Sequence, residues 1–155
     1  MKMSNRDENH TKQLPTKEIF APAFGTDAMF VTYSSWSGVL VDTDVDAAYM
    51  KLSIPHDFNE VVSLDVLMLP YAVLGSMSFY VSANWAFPGT SDQTNLENNW
   101  HAAENTVFHQ LTEVDIRNCV DAFPLEANQY LGIMISRQVG NNTNALILGV
   151  KLRYK

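Results

Sequence analysis

The sequence predicts an all-β fold, an antiparallel β-sandwich of jelly-roll-like type with about eight strands and at most one short helical turn. Three observations indicate this class. Short segments alternate apolar and polar residues, turn-forming residues recur between them, and almost no segment has helical periodicity. The length of 155 residues and the apolar fraction of 46% are enough for one domain with a sizeable core.

Alternation of apolar and polar residues defines the strands. The clearest case is the segment 76–86, in which Phe79, Val81 and Trp85 share one face and Tyr80 lies on the other. Pro55 and Pro70 end two further runs, because proline cannot donate to the strand ladder. We predict the remaining strands over 28–33, 39–41, 46–54, 61–69, 105–110, 130–137 and 145–154.

Turn chemistry predicts the connections between these strands. Gly140 and the asparagines that follow it tolerate positive φ, so the segment 138–144 predicts a hairpin that makes the last two strands antiparallel neighbours. The polar stretch 88–103 predicts a long surface loop. The segment 115–120 predicts the helical turn, with Asp115 as its N-cap.

The first residues of the chain differ from the rest. Residues 1–18 are polar, mixed in charge and without periodicity, which predicts an N-terminal arm before a single sandwich domain over 19–155. Pro15 argues against a helix running through the arm. A polar arm becomes ordered when it has a surface to lie on, so we expect it to reach onto a neighbouring subunit.

The charge is unevenly distributed along an acidic chain. The net charge is −7, and within 18–136 the only cations are Lys51 and Arg117, whereas residues 137–155 carry four cations and no acid. A pI near 4.9 argues against nucleic-acid binding, which needs clustered Lys and Arg. No apolar run approaches the ~18–20 residues of a membrane span. The polar start also predicts no secretory signal peptide.

Three alternating aspartates, Asp42, Asp44 and Asp46, form the sharpest polar cluster. Carboxylates spaced in this way on a loop can present oxygens to a hard cation such as calcium. The segment lacks the glycine and the closing glutamate of an EF-hand loop. The alternative interpretation is a solvated turn whose charges blunt a strand edge. No other cofactor is expected.

Three aromatic residues are the candidates for contact with a partner or ligand. Tyr80 lies on the polar face of its strand, Trp100 lies in the predicted long loop, and Trp36 lies in a turn between two short strands. Such residues suit a subunit interface, where Tyr and Trp are enriched. They also suit stacking on a sugar ring, and the remaining alternative is ordinary packing within the fold. Trp85 lies on the apolar face of its strand, so we predict that it is buried in the core.

No residue set in the chain predicts catalysis. The sequence contains no G-x-S-x-G, P-loop or G-x-G-x-x-G motif. Cys119 is the single cysteine and has no histidine beside it, which favours a buried structural thiol over a nucleophile. We therefore expect a protein that is not an enzyme.

Two stretches of the chain resemble a known class of sequences. In the first, YMKLSIPHDF at 49–58, a strand closes with an Ile-Pro step and Asp-Phe follows. The second is the closing pair LGIMISR at 131–137 and LILGVKLRY at 146–154. Both resemble β-sandwich structural proteins of tailed-phage virions in environmental phage sequences, and the likeness spans roughly residues 46–155. The resemblance implies a virion role and supplies no catalytic residues.

From this resemblance we expect a virion structural protein, such as a capsid decoration, head-fibre or tail-associated subunit. It would form a homo-oligomer, most often a trimer, and bind other virion proteins without direct contact with nucleic acid or a membrane. The acidic balance suits the outer surface of the virion. The basic ends would dock against the acidic body of the next subunit. The alternative is a carbohydrate- or receptor-binding β-sandwich module that uses Trp100 and Tyr80.

Overall fold

The computed structural model describes residues 14–25, 30–43, 45–70, 75–90, 93–106, 110–119, 125–137 and 144–155. At 75–77, at 93–106 and at 119 the description covers the backbone alone. Within these ranges the chain forms eleven strands and one short 3₁₀ helix. The strands are β1 Lys17–Pro22, β2 Phe24–Gly25, β3 Phe30–Tyr33, β4 Trp36–Val41, β5 Ala47–Ser53, β6 Val61–Pro70, β7 Gly75–Ala86, β8 Gln93–Thr106, β9 Thr112–Asp115, β10 Tyr130–Arg137 and β11 Ala145–Tyr154, with the helix η1 at Arg117–Cys119.

The strands form two sheets, and every described pairing is antiparallel. The six-stranded sheet has the order β3-β4-β11-β6-β9, and β1 pairs with β11 beyond the end of β4. The five-stranded sheet has the order β2-β5-β10-β7-β8. The predicted antiparallel sandwich is thus confirmed, with more strands than the alternation indicates.

The core lies between the two sheets and consists of side chains from alternate positions. The five-stranded sheet contributes residues such as Met50, Val81 and Ile133, and the six-stranded sheet contributes residues such as Leu64 and Leu152. Trp85 is buried among them, as its place on the apolar face of β7 predicts. The inner face of each sheet is thereby buried. The outer positions of β5 and β10 are half-buried or exposed, whereas nearly every side chain of β11, inside the other sheet, is buried on both faces.

The predicted hairpin between the last two strands is wrong. β10 pairs with β5 and β7 in one sheet, whereas β11 pairs with β1, β4 and β6 in the other. The chain therefore crosses from sheet to sheet between Arg137 and Ala145. Alternation shows only which side chains of a strand are buried. Two strands that pair within one sheet have the same alternation as two strands that face each other across the core, so alternation cannot predict which strands pair.

The predicted long loop over 88–103 is also wrong, because β8 occupies most of it and pairs with β7. β8 ends the order of its sheet, and an edge strand tolerates a polar sequence because only one side of its backbone is paired. The predicted strand over 105–110 overlaps it by two residues, and 107–109 lie outside the described residues. The helical turn is confirmed as η1, since the Asp115 carboxylate accepts a hydrogen bond of 2.8 Å from the Arg117 amide.

The first described strand starts inside the predicted arm. β1 pairs with β11 of the same chain, and Lys17 lies opposite Tyr154. Residues 1–13 lie outside the described residues, so the contact of the arm with a neighbour stays a prediction. Within the described part of the chain, no helix has the length and apolar character needed to cross a membrane.

The basic side chains near both ends contact acidic groups of the same chain. Lys17 forms an ion pair with Asp57, and their hydrogen bond raises the pKa of Lys17 and lowers the pKa of Asp57. At the other end, Lys155 Nζ lies 3.0 Å from the carboxylate of Glu60. These pairs join the ends to the body within one subunit, while docking onto a second subunit stays a prediction.

Candidate functional site

The outer face of the five-stranded sheet carries aromatic and polar side chains. Buried positions of its strands, such as Met50 and Leu131, alternate with positions that are half-buried or exposed. The alternate positions face away from the core. They are Ala47, Tyr49, Lys51 and Ser53 on β5; Tyr130, Gly132, Met134 and Ser136 on β10; and Ser78, Tyr80, Ser82, Asn84 and Ala86 on β7.

Register aligns these residues in rows across three strands. Gly132 lies opposite Lys51 on one side and opposite Asn84 on the other. The neighbouring rows are Tyr49, Met134 and Ser82 on one side, and Ser53, Tyr130 and Ala86 on the other. Each row therefore combines side chains that are distant in sequence.

A groove runs along β10 because Gly132 has no side chain. A Cβ atom placed on Gly132 would have the Asn84 carbonyl oxygen, 3.8 Å away, as its nearest neighbour, so the space above this residue is open. Two hollows of about 220 and 310 Å³ meet there, and Lys51, Asn84 and Gly132 line both. We call this surface, from Met134 to Tyr130, the β10 groove.

Aromatic rings lie at both ends of the β10 groove. At one end the ring of Phe24, on β2, stacks on Tyr49 with centroids 5.9 Å apart and an interplanar angle of 27°. Lys51 Nζ lies 5.4 Å from the centroid of Phe24, a cation–π arrangement. At the other end Tyr130 is 56% exposed. Between the ends, the Lys51 ammonium, the Ser82 hydroxyl and the Asn84 amide supply polar groups.

Two of the three aromatic residues predicted to contact a partner or ligand are neighbours in register on this sheet. Tyr80 of β7 and Trp100 of β8 are opposite each other in register, and Ser136 lies on the other side of Tyr80. Trp36 does not join them. It lies on β4 of the six-stranded sheet, opposite Tyr33, and is 44% exposed.

Sequence reasoning missed the centre of the groove, namely Lys51, Asn84 and Gly132, and the tyrosines at its ends. A signal for Tyr49 and Tyr130 is present in the sequence, because alternation places both on the face opposite the apolar residues of their strands. No comparable signal exists for the rows, since the pairing of β5 and β7 with β10 joins segments far apart in the chain.

The aspartate cluster forms a turn at the start of β5. The Asp46 carboxylate accepts hydrogen bonds from the backbone amides of Thr43, at 2.8 Å, and Asp42, at 3.2 Å. Arg137 donates a hydrogen bond to the Asp42 carbonyl oxygen. Asp44 lies outside the described residues. No group of three described His, Cys, Asp or Glu residues is placed to hold a metal ion, and calcium at this cluster stays a prediction.

The two described aspartates of this turn influence each other's ionisation. Burial opposes the ionisation of Asp46, but hydrogen bonds from Thr43 and Asp42, through side chains and backbone, outweigh it and lower its pKa. The pKa of Asp42 is raised, first by its hydrogen bond to Asp46 and then by burial and the Asp46 charge. Asp42 is therefore the member of the pair that is more easily protonated.

No family model and no curated protein matches the chain. Solved β-sandwich structures are similar to it in fold. The CBM22-1–GH10 modules of the Clostridium thermocellum endo-1,4-β-D-xylanase 10B, complexed with xylohexaose, have 12% identity and a TM-score of 0.45. That match covers 87% of this chain and 26% of the xylanase chain, so this chain spans about a quarter of it.

Two further structures consist of the binding module itself. One is the C-terminal family 22 carbohydrate-binding module of the same xylanase, with 9% identity, a TM-score of 0.38 and coverage of 95% of this chain and 88% of that one. The other, a xylan-binding domain of the same family, has 9% identity, a TM-score of 0.38 and coverage of 95% and 89%.

Proposed function

We propose that this chain is a glycan-binding β-sandwich module and that the β10 groove is part of its binding surface. The observation that supports the proposal is an open groove on a sheet face, with Gly132 as its floor and tyrosine rings at its ends. The groove lies along a strand, so its shape suits an extended ligand. A compact small molecule is usually held in a deeper cavity that buries most of its surface.

The chemistry of the groove matches that of a sugar chain. A pyranose ring has an apolar face of C–H groups, which packs on an aromatic ring, and a rim of hydroxyls, which need hydrogen-bond partners. Tyr49 and Tyr130 offer the rings, while Lys51, Ser82 and Asn84 offer donors and acceptors between them. Tyr80 and its cross-strand partner Trp100 would extend this surface towards the sheet edge.

The proposal is binding without catalysis. The described residues that line the two hollows include no carboxylate, histidine or cysteine, so they offer contacts but neither an acid–base pair nor a nucleophile. A glycosidase would need two carboxyl groups placed on either side of the scissile bond.

A variant that fills the groove tests this proposal. Gly132→Leu would occupy the open space, and Thr32→Leu, at an exposed position of an edge strand in the other sheet, is the matched control. Affinity gel electrophoresis with a panel of soluble glycans, followed by calorimetry on those that retard the protein, should show binding by wild type and by Thr32→Leu and none by Gly132→Leu. Thermal unfolding confirms that each variant is folded. Wild type that binds no glycan would overturn the function, and equal binding by Gly132→Leu would overturn the site.

A second candidate function is assembly, the role expected of a virion subunit. The outer face of the six-stranded sheet carries a separate apolar cluster in which Leu69, Leu146 and Leu148 are buried. Near it Trp36 is 44% exposed and Phe20 is 50% exposed. The three leucines are already covered within the chain, so Trp36 and Phe20 are the residues that support an interface: large apolar side chains left exposed on the outer face of a sheet favour a covering partner, such as a second subunit.

The oligomeric state tests this second candidate. If this face joins subunits, Trp36→Ser should lower the molar mass measured by light scattering, whereas Tyr130→Ser, an exposed aromatic of the other sheet, should leave it unchanged. Removal of residues 2–17 should also lower it if the arm reaches a neighbour. A wild-type monomer, or an oligomer indifferent to Trp36→Ser, would contradict assembly through this face.

A further inference from the structure

Lys51 lies at the middle of the β10 groove and lines both of its hollows. It is exposed on β5, directly opposite Gly132. Because Gly132 has no side chain, no residue of β10 stands between Lys51 and Asn84 in this row. A ligand in the groove would therefore pass beside the Lys51 ammonium.

The Lys51 head group differs in its contacts from the other described cations. Lys17, Lys151, Arg153 and Lys155 form ion pairs with carboxylates, and Arg117 and Arg137 donate hydrogen bonds to backbone carbonyls. Among the described residues, Lys51 Nζ has no oxygen partner, and its contact is with the face of the Phe24 ring. The aromatic face orients the ammonium but leaves its three donors for other acceptors.

The surroundings of Lys51 favour a negative charge at this point. The net charge of −7 repels anions from the molecule as a whole, yet no Asp or Glu is among the described residues lining the groove. A carboxylate beside Lys51 would gain a charge-assisted hydrogen bond, which is stronger than one between neutral groups. The Asn84 amide across Gly132 can donate to a second oxygen of the same ligand.

We propose that the β10 groove selects acidic glycans, with the carboxylate of a uronic acid residue bound by Lys51. This inference rests on the glycan-binding function proposed above and specifies its ligand class. The tyrosines would pack on the sugar rings, and Lys51 would distinguish a uronate from the neutral sugar of the same shape.

Pairs of oligosaccharides that differ only in charge test the inference. We would use oligogalacturonate and oligoglucuronate, each with its carboxyl-reduced neutral counterpart of equal length, and measure affinity by calorimetry. Wild type should bind at least one acidic form about tenfold or more tighter than its neutral counterpart, since a hydrogen bond between charged groups has this magnitude. The preference should weaken as salt is added.

Two lysine variants identify the group responsible. Lys51→Met retains the aliphatic stem but removes the ammonium, so the acidic and neutral forms should then bind with similar affinity. Neutral binding should fall less than acidic binding, because it loses only a contact between the ammonium and a sugar hydroxyl. Lys17→Met removes an exposed cation elsewhere and should retain the preference. Equal binding of acidic and neutral forms by wild type would overturn the inference but leave the proposed function standing, and so would a preference that survives in Lys51→Met. Absence of binding to these forms and to the whole glycan panel would overturn both.

Discussion

Tyr80 of β7 and Trp100 of β8 are cross-strand partners at the edge of the five-stranded sheet. Beyond them the register of β8 shifts, so that Val81 lies opposite Asn99 but Ala83 lies opposite Asn95. Bulges of this kind are common at sheet edges and beside binding sites, where they redirect side chains. The pair thus lies next to the β10 groove but is separated from the row of Gly132 by an irregular stretch of the edge strand.

If this pair extends the binding surface, Tyr80→Ala and Trp100→Ala should each weaken glycan affinity by about tenfold, the usual scale for an aromatic anchor. Trp36→Ala, which removes an exposed tryptophan from the other sheet, should leave the affinity unchanged. Calorimetry with a glycan that retards wild type would measure this. A loss in Trp36→Ala, with none in the other two, would locate the site on the six-stranded sheet.

Two glycine substitutions should have opposite effects on stability. Gly132→Ala meets no steric obstacle and removes the entropic cost of glycine within a strand, so the free energy of unfolding should rise by up to about 1 kcal/mol. Gly149→Ala would place a Cβ against the Ala21 carbonyl oxygen and the Phe20 ring, and should lower it by about 1–3 kcal/mol. Denaturant unfolding measures both. Destabilisation by Gly132→Ala would show that the space above Gly132 is closed.

Because the pKa of Asp42 is raised in the folded protein, Asp42→Asn should increase stability by an amount that depends on pH. Below the ordinary pKa of 3.8, Asp42 is protonated and its hydrogen bond to Asp46 contributes fully to stability. That contribution is lost as the pH rises through the raised pKa of the folded protein. Asparagine is neutral at every pH, so the variant should be more stable than wild type near neutrality, by about 1 kcal/mol or less, and similar to it in acid.

Asp57→Asn is the control, because it should change stability at neutral pH in the opposite direction. The hydrogen bond with Lys17 lowers the pKa of Asp57 in the folded protein. The stability that this bond contributes is therefore present above the ordinary pKa of 3.8 and is lost as the pH falls through the lower pKa of the folded protein. This variant should be slightly less stable than wild type at neutral pH and equal to it in acid. Thermal unfolding across the pH range measures both. An Asp42→Asn variant that is less stable at neutrality would contradict the assignment.

Lys151 is a buried cation, with 8% of its side chain exposed, and it forms an ion pair with Glu113. Glu113→Gln should lower the free energy of unfolding by about 1–3 kcal/mol, because the lysine charge would remain buried without its partner. Glu18→Gln breaks the 3.1 Å pair with Arg153 at an exposed position and should cost less than about 1 kcal/mol. Equal small losses in both would indicate that water reaches Lys151.

Several strands could be predicted from the sequence, but the pairing between them could not. Alternation predicts β10 and β11 to the residue, and it places Trp85 in the core and Tyr80 outside. It cannot distinguish two strands that pair within a sheet from two that face each other across the core. That is why the predicted hairpin between β10 and β11 is wrong.

The candidate site could not be predicted from alternation, because it depends on which strands pair and on a residue that has no side chain. Trp100 belongs to an edge strand whose polar residues resemble a loop, and only the pairing of β8 with β7 places it opposite Tyr80. The groove itself is produced by Gly132, a residue with no side chain that could signal a function. Lys51 gains its significance from being without a carboxylate partner among the described residues, a property of the folded chain.

Since the space above Gly132 is open and the residue lies outside the core, this position can change without affecting the packing of the sandwich. Every glycine codon becomes one for alanine or valine by a single nucleotide substitution. Each such change would raise the floor of the groove by a different amount. If the β10 groove binds glycans as proposed, its preference among them can diverge between descendants of this chain while the fold is inherited unaltered, and directed evolution of that preference would best begin at this codon.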